Sequence, residues 1–192
     1  MKEKDLQEWT LDTDTGILTI NSTAAMTSAP WYPCRSAVKE VIITAEITSI
    51  ANSAFEDYDS LVSITVPESV TSIGDAAFAG CRSLVSIALP EGLTSIDCSA
   101  FSGCSSLTAV TLPQSVNFIG YAAFNDCVRL TNITALNPVP ISPCLAFYSV
   151  DKIASTLRVP ASSVHLYQVA EEWSGFSQII GGGKAPAPAP AP

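Results

Sequence analysis

One dipeptide recurs along this chain at a fixed interval. Successive phenylalanines of this Ala-Phe pair are 23 residues apart, at Ala54-Phe55, Ala77-Phe78, Ala100-Phe101, Ala123-Phe124 and Ala146-Phe147. A period of this size is typical of a solenoid, in which each repeat forms one coil and packs only against its neighbours. The sequence therefore predicts a repeat solenoid with 23-residue coils.

Each repeat also contains a short alternating stretch that ends at a proline. In one repeat, Ile64 and Val66 alternate with Ser63 and Thr65, and Pro67 follows. Neighbouring side chains on a strand point to opposite faces, so the two aliphatic residues are expected inside and the two hydroxyl residues outside. Proline lacks a backbone donor and ends the strand. Stacking of the coils then predicts a mostly β structure with a parallel sheet on one face.

The outward strand positions form the predicted partner-binding surface. After Glu40 and Ile42, these positions are Ser63, Thr65, Ser86, Ala88, Ala109, Thr111, Asn132 and Thr134. Solenoids bind partners through extended faces of this kind. The set is small and neutral, and it lacks the Trp, Tyr and Arg side chains that dominate interface energies. A solvated scaffold without a ligand is therefore an equal alternative.

Three of the six cysteines share one repeat position. Cys81, Cys104 and Cys127 each lie three residues after the phenylalanine, where an earlier repeat has Tyr58. A position that accepts Tyr or Cys favours a buried packing role over disulfide bonding, because a free Cys packs as a small hydrophobe. We expect a column of buried free thiols. The other cysteines, at positions 34, 98 and 144, fit no pattern found here.

The two ends of the chain depart from the period. Residues 1–37 are predicted to be an N-terminal β-hairpin cap, and 38–156 the repeats. Residues 157–180 are predicted to be a C-terminal cap, and 181–192 a Gly and Ala-Pro linker or tail. In the first segment, Asp12-x-Asp14-x-Gly16 resembles half of a calcium loop, but the later ligands are missing. A hairpin turn is therefore the favoured interpretation.

The expected C-terminal cap has a short helix. Ser162 or Ser163 is placed to cap its start, and Val164, Tyr167 and Ala170 lie on one face at three-residue spacing. Together with Trp173 this face is expected to cover the last coil, as the open end of a solenoid requires.

Charge and composition exclude several functions. The chain has 18 acidic and 9 basic residues, so its net charge of −9 argues against nucleic-acid binding. No apolar run approaches the roughly 18–20 residues of a membrane span. The start, from Met1 to Asp5, lacks the apolar stretch of a secretory signal, which is consistent with a cytoplasmic protein or with a mature or shortened form. The single histidine, His165, lies in the predicted cap, and its sequence surroundings do not suggest a Ser-His-Asp arrangement. We expect no enzyme activity, metal or cofactor.

The repeated pattern Leu-x-x-Ile-x-Leu-Pro-x-x-Leu-x-x-Ile-Gly-x-x-Ala-Phe-x-x-Cys resembles the consensus of the BspA-type leucine-rich repeat over about residues 38–147. The asparagine of ordinary leucine-rich repeats is absent, as in that subclass. The resemblance implies a non-catalytic protein–protein interaction or adhesion module of a cell-surface or secreted protein. Its implied partner is a host or extracellular-matrix protein. A structural spacer or display domain is the alternative, and ice or polysaccharide binding is a third.

The inside and outside assignment predicts two different mutational outcomes. Phe101→Ala is expected to lower the free energy of unfolding by about 3–5 kcal/mol, because it removes a buried ring and leaves a cavity. Ser86→Ala removes an outward side chain and is expected to change stability little. Thermal unfolding of the two variants is the measurement, and equal losses of stability would contradict the assignment.

Overall fold

The computed structural model describes residues 8–44 and 46–182, so the start of the chain at Met1–Asp5 and residues 183–192 of the predicted tail lie outside the described residues. The coils consist of short strands joined by turns, and one short α-helix lies near each end of the described chain. The strands are β1 Trp9–Asp12, β2 Ile17–Ile20, β3 Glu40–Ile43, β4 Ser49–Ile50, β5 Ser63–Thr65, β6 Ser72–Ile73, β7 Ser95–Ile96, β8 Ala109–Leu112, β9 Phe118–Ile119, β10 Asn132–Ala135, β11 Thr156–Val159 and β12 Gln178–Gly181. The α-helices are α1 Thr23–Ser28 and α2 Val164–Val169, and 3-10 turns span Tyr32–Ala37, Ala161–Ser163 and Trp173–Gly175.

The strands form three four-stranded sheets along the solenoid. Two of them, ordered β1-β2-β3-β5 and β12-β11-β10-β8, contain the alternating stretches, and their strands β5, β8 and β11 are followed by a proline within two residues. The third, ordered β4-β6-β7-β9, runs along a second side and consists of two-residue strands. All pairs are parallel except β1 with β2, which form a hairpin. The predicted solenoid with parallel strands is therefore confirmed.

The expected continuous sheet is divided at residues 86–88. Val85 donates a backbone hydrogen bond to Val62 at 3.4 Å and accepts one from Thr108 at 3.2 Å, but residues 86–88 form no strand. Ile87 nevertheless faces the core with 7% of its surface exposed. Residues 86–88 thus keep the alternation of inward and outward side chains but lack the regular hydrogen bonds of a strand.

The turn that carries Ala-Phe depends on a left-handed residue. The residue before each Ala-Phe has a φ between 52° and 56°, at Ser53, Ala76, Ser99, Ala122 and Leu145. Small residues are found at four of these five positions, since a bulky or β-branched side chain is strained at positive φ. The first four of these turns are also bonded to the next coil, as when the Phe78 N–H donates to the Ala100 carbonyl at 2.8 Å.

The phenylalanines stack into one continuous column. Successive ring centroids from Phe55 to Phe147 are 5.2–5.4 Å apart, with interplanar angles of 11° or less. Trp31 extends the column at one end at 6.0 Å, and Trp173 closes the other at 5.4 Å. Both indoles are buried, and their N–H groups donate to the carbonyls of Ala54 and Ile141. The end units therefore cover both the apolar rings and the backbone groups of the terminal coils.

The thiol column predicted from the sequence is confirmed. Cys81, Cys104 and Cys127 are buried and free, and each sulfur donates to the carbonyl of a phenylalanine one coil earlier at 3.1–3.2 Å. Burial raises the pKa of the Cys104 thiol to about 12, and it raises the pKa of the other two thiols as well. Cys98 and Cys144 are exposed, and Cys34 is half-buried.

The structure shows two of the elements expected within the end units. The Asp12 carboxylate accepts from the N–H groups of Asp14 and Thr15 in the hairpin turn, so the turn interpretation is confirmed. These bonds to Thr15 and Asp14 lower the pKa of the Asp12 carboxyl group. At the other end, the helix expected around Tyr167 is present as α2.

Two details of the C-terminal end unit were not predicted correctly. Ser163 occupies the N-cap position of α2 and is buried, but its side chain forms no capping hydrogen bond. Strand β12 was not predicted at all. It adds to the sheet beside β11, with Leu157 opposite Ile179.

Thiol reactivity is expected to report this arrangement. The thiolate is the reactive form, so burial and a raised pKa both slow alkylation. Iodoacetamide at pH 8 should modify Cys98 and Cys144 in the native protein, Cys34 more slowly, and the three column thiols only after denaturation. Peptide mass spectrometry of briefly labelled protein is the measurement. Equal labelling of Cys104 and Cys98 in the folded protein would contradict the buried column.

Tyr58 provides a second test of this column, in which a substitution is expected to raise stability. Its side chain is buried at the position of the column cysteines, and its hydroxyl has no hydrogen-bond partner among the described residues. Tyr58→Phe is expected to raise the free energy of unfolding by about 1 kcal/mol, because it removes an unsatisfied buried hydroxyl. For a chain of this size the melting temperature should rise by about 2–4 °C. A fall would show that the hydroxyl has a stabilising partner.

Candidate functional site

The candidate site is the set of outward residues on the alternating strands, named the strand face below. It comprises the outward positions of β3, β5, residues 86–88, β8, β10, β11 and β12. Of the residues predicted for partner binding, those that are exposed are Ser63, Thr65, Ser86, Ala88, Ala109 and Asn132. Thr111 is half-buried.

Thr134 was predicted to be exposed, and this prediction is wrong. Only 8% of its surface is accessible. In the sheet register it lies between Thr111 on β8 and Arg158 on β11, so side chains on both neighbouring strands cover it. Thr134 therefore forms part of the floor of the strand face rather than its outer surface.

The C-terminal half of the strand face contains an open depression of about 410 Å³. It is lined by Ala109, Val110, Thr111, Asn132, Thr134, Arg158 and Gly182. The structure thus brings together four residues of the predicted set and adds Arg158 and Gly182, which were not predicted. Ser63, Thr65, Ser86 and Ala88 do not line it. We call this feature the Arg158 depression.

Arg158 is the main residue that sequence reasoning missed. It lies on β11 between the buried residues Leu157 and Val159, directly opposite Thr134. The alternation Leu157, Arg158, Val159 followed by Pro160 is the same signal that identified the other strands. Because β11 continues the parallel stack after β10, the same pattern could have placed Arg158 on the outward face.

Among the described residues, two basic side chains are paired with carboxylates, and Arg158 is among those that are not. Arg82 lies 3.6 Å from the Asp59 carboxylate, and Lys152 lies 3.3 Å from that of Glu172. Within residues 8–44 and 46–182, Arg158 has no carboxylate at ion-pair distance, and it is exposed. A guanidinium in this state can form paired hydrogen bonds with an incoming carboxylate.

Exposed aromatic residues form a second feature that sequence reasoning missed. Phe118 and Tyr121 are 49% and 56% exposed at the edge of the β4-β6-β7-β9 sheet. One coil earlier the equivalent positions hold Ser95 and Cys98. The change from these small residues to aromatic ones is the sequence signal that could have indicated the exposed rings.

The single histidine and possible groups of metal ligands are the last features of the described residues. His165 is exposed on α2. Within the described part of the chain, no group of three or more His, Cys, Asp or Glu side chains is arranged to hold a metal ion. Among the same residues, no helix combines the length and apolar character needed to cross a membrane.

Solved structures of bacterial leucine-rich repeat proteins resemble this fold. A leucine-rich repeat protein of T. pallidum has a TM-score of 0.59 and 24% identity, covering 93% of this chain and 82% of its own. A leucine-rich repeat protein of Bacteroides ovatus has a TM-score of 0.52 and 26% identity, covering 79% of this chain and 47% of its own. A leucine rich cell surface protein of Faecalibacterium prausnitzii has a TM-score of 0.55 and 21% identity, covering 91% and 48%.

The chain therefore spans less than half of the length of the latter two proteins. No curated protein sequence matches it. These similarities show a shared leucine-rich repeat fold.

A family model described as BspA type leucine rich repeat region matches residues 30–154 in six copies. Leucine-rich repeats are generally non-catalytic and typically serve in protein interactions. The match covers well over half of the chain and agrees with the repeat consensus, the parallel strands and the similar solved structures. This chain therefore belongs to the BspA type leucine-rich repeat family.

Proposed function

We propose that this chain is a protein-binding or adhesion module of a cell-surface or secreted protein, and that it binds through the strand face. The observation that supports this most is the Arg158 depression, where an unpaired guanidinium lies among polar side chains on adjacent strands. Binding sites combine an accessible surface with a few positioned polar groups that give specificity.

The fold supports this role because it holds the strand face in a fixed shape. Beneath the outward residues, Val110, Ile133 and Leu157 are buried in successive strands and belong to the core. Since the supporting side chains are packed, a partner would bind to a surface that is largely preformed. A preformed surface lowers the entropy lost on binding.

The proposed location and partner rest on similarity. One structurally similar protein is described as a leucine rich cell surface protein, and another as a pneumococcal vaccine antigen, with a TM-score of 0.58 and 20% identity. Both supply a reason to test surface-exposed partners first. A host or extracellular-matrix protein is the proposed partner class.

Blocking the strand face should weaken binding. Ala109→Trp places a bulky ring at an exposed position of β8 beside the Arg158 depression, so it is expected to reduce affinity at least about tenfold by steric exclusion. The measurement is biolayer interferometry of the immobilised chain against purified collagen, fibronectin, laminin and fibrinogen.

The matched control is Ala154→Trp, at an exposed turn position away from the strand face. It should retain full binding. Loss of binding in both variants, or in neither, would argue against the strand face as the site. No saturable binding to any of the four proteins would contradict the adhesion proposal and favour a structural spacer.

A further inference from the structure

Charge is unevenly distributed over the outward strand positions. At the N-terminal end, Asp12 lies opposite Ile17, which lies opposite Glu40, so two carboxylates are close in register. At the C-terminal end, Arg158 lies between Thr134 and Ile180. The outward positions between these ends, from Ser63 to Thr134 among the described residues, carry no charge. Among the outward strand positions, the two acidic residues therefore lie at one end and Arg158 at the other, while the exposed Lys39 precedes Glu40 outside the strand.

We propose that the strand face recognises an extended acidic segment of a partner protein, whose carboxylates bind at Arg158. This inference rests on the proposed function and adds the chemistry and direction of the ligand. The acidic part of the segment lies over the Arg158 depression, and its neutral or basic part extends towards Glu40.

The Arg158 depression has groups suited to a carboxylate. The guanidinium of Arg158 offers paired N–H donors in a planar arrangement that matches a carboxylate. The Thr111 hydroxyl and the Asn132 amide line the same depression and add further polar groups. The Asn132 amide already donates to the Thr131 hydroxyl at 3.1 Å, which holds it in place beside the depression.

The overall charge of the chain does not oppose this assignment. The net charge of −9 repels an acidic partner at long range. At physiological ionic strength, however, interactions between exposed charges are largely screened beyond about 8 Å. Contacts within the depression therefore decide the binding, and the nearest charge there is the unpaired Arg158. A nucleic acid is a poorer candidate, because many phosphates would face a single arginine.

The dimensions of the face set a length for the ligand. Glu40 and Arg158 are separated by about five strand spacings of ~4.8 Å, which gives roughly 24 Å. An extended segment rises ~3.3 Å per residue, so about seven residues would cross this distance. A ligand of this length contacts both charged ends at once, which fixes its direction on the face.

The test is a selection of random dodecapeptides displayed on phage against the wild-type chain, Arg158→Gln, Arg158→Lys and the control Arg129→Gln. Arg129 is exposed outside the strands and also lacks an ion pair among residues 8–44 and 46–182. Its substitution removes the same charge away from the depression. Ala109→Trp tests whether the selected peptides bind to the strand face at all, with Ser86→Trp as a second block should the first variant fail to fold.

Peptides selected on the wild-type chain are expected to be enriched in Asp and Glu. The enrichment should disappear with Arg158→Gln and remain with Arg129→Gln. Synthetic copies of the selected peptides should bind Arg158→Gln at least about tenfold more weakly, since a charged hydrogen-bonded contact is lost. Arg158→Lys should lose less, and rising salt should weaken wild-type binding.

Two other outcomes would overturn the inference in different ways. Peptides that the strand-face blocks exclude, but that show the same acid content and affinity with Arg158→Gln, would overturn the acidic ligand and leave the proposed function standing. Peptides that bind equally to the blocked variants, or a selection that gives no binders, would overturn both.

Discussion

The stacking of the phenylalanine rings is the interaction on which the rest of the structure depends. Centroid distances of 5.2–5.4 Å are close to the spacing of about 4.8 Å between paired strands, so one ring per coil fills the interior without a gap. Offset aromatic pairs at these distances are favourable. A coil that was one residue longer or shorter would have to displace its ring, its strand or its turn. The stack therefore explains why the repeat is regular.

The phenylalanine stack ends at a tryptophan on each side. Trp31 and Trp173 cover the first and last rings, and each indole also donates to a carbonyl of a terminal coil. An apolar ring alone would protect the core but leave those carbonyls without these partners. At each end, one tryptophan side chain thus covers the terminal ring and bonds to a carbonyl. The end units therefore differ from the repeats in sequence but continue their stacking.

The candidate site was predictable in outline and less so in detail. Alternation in each repeat placed Ser63, Ser86 and Ala109 outside, and they are exposed. It failed for Thr134 because the burial of an outward residue depends on the side chains of both neighbouring strands, which no local pattern specifies. Arg158 was assigned to the end unit, so its strand position was overlooked. Its effect on the surface depends on the register of β11 with β10.

The sequence by itself determined the solenoid, the inward aliphatic and thiol columns and the hairpin, because these follow from local alternation repeated along the chain. Only the tertiary structure decided which outward residues meet across strands. It also divided the strands among three sheets, added β12, and placed Arg158 beside Asn132 and Thr134. The physical reason is that contacts within a coil are set by neighbours in the chain, whereas the surface is set by register between coils.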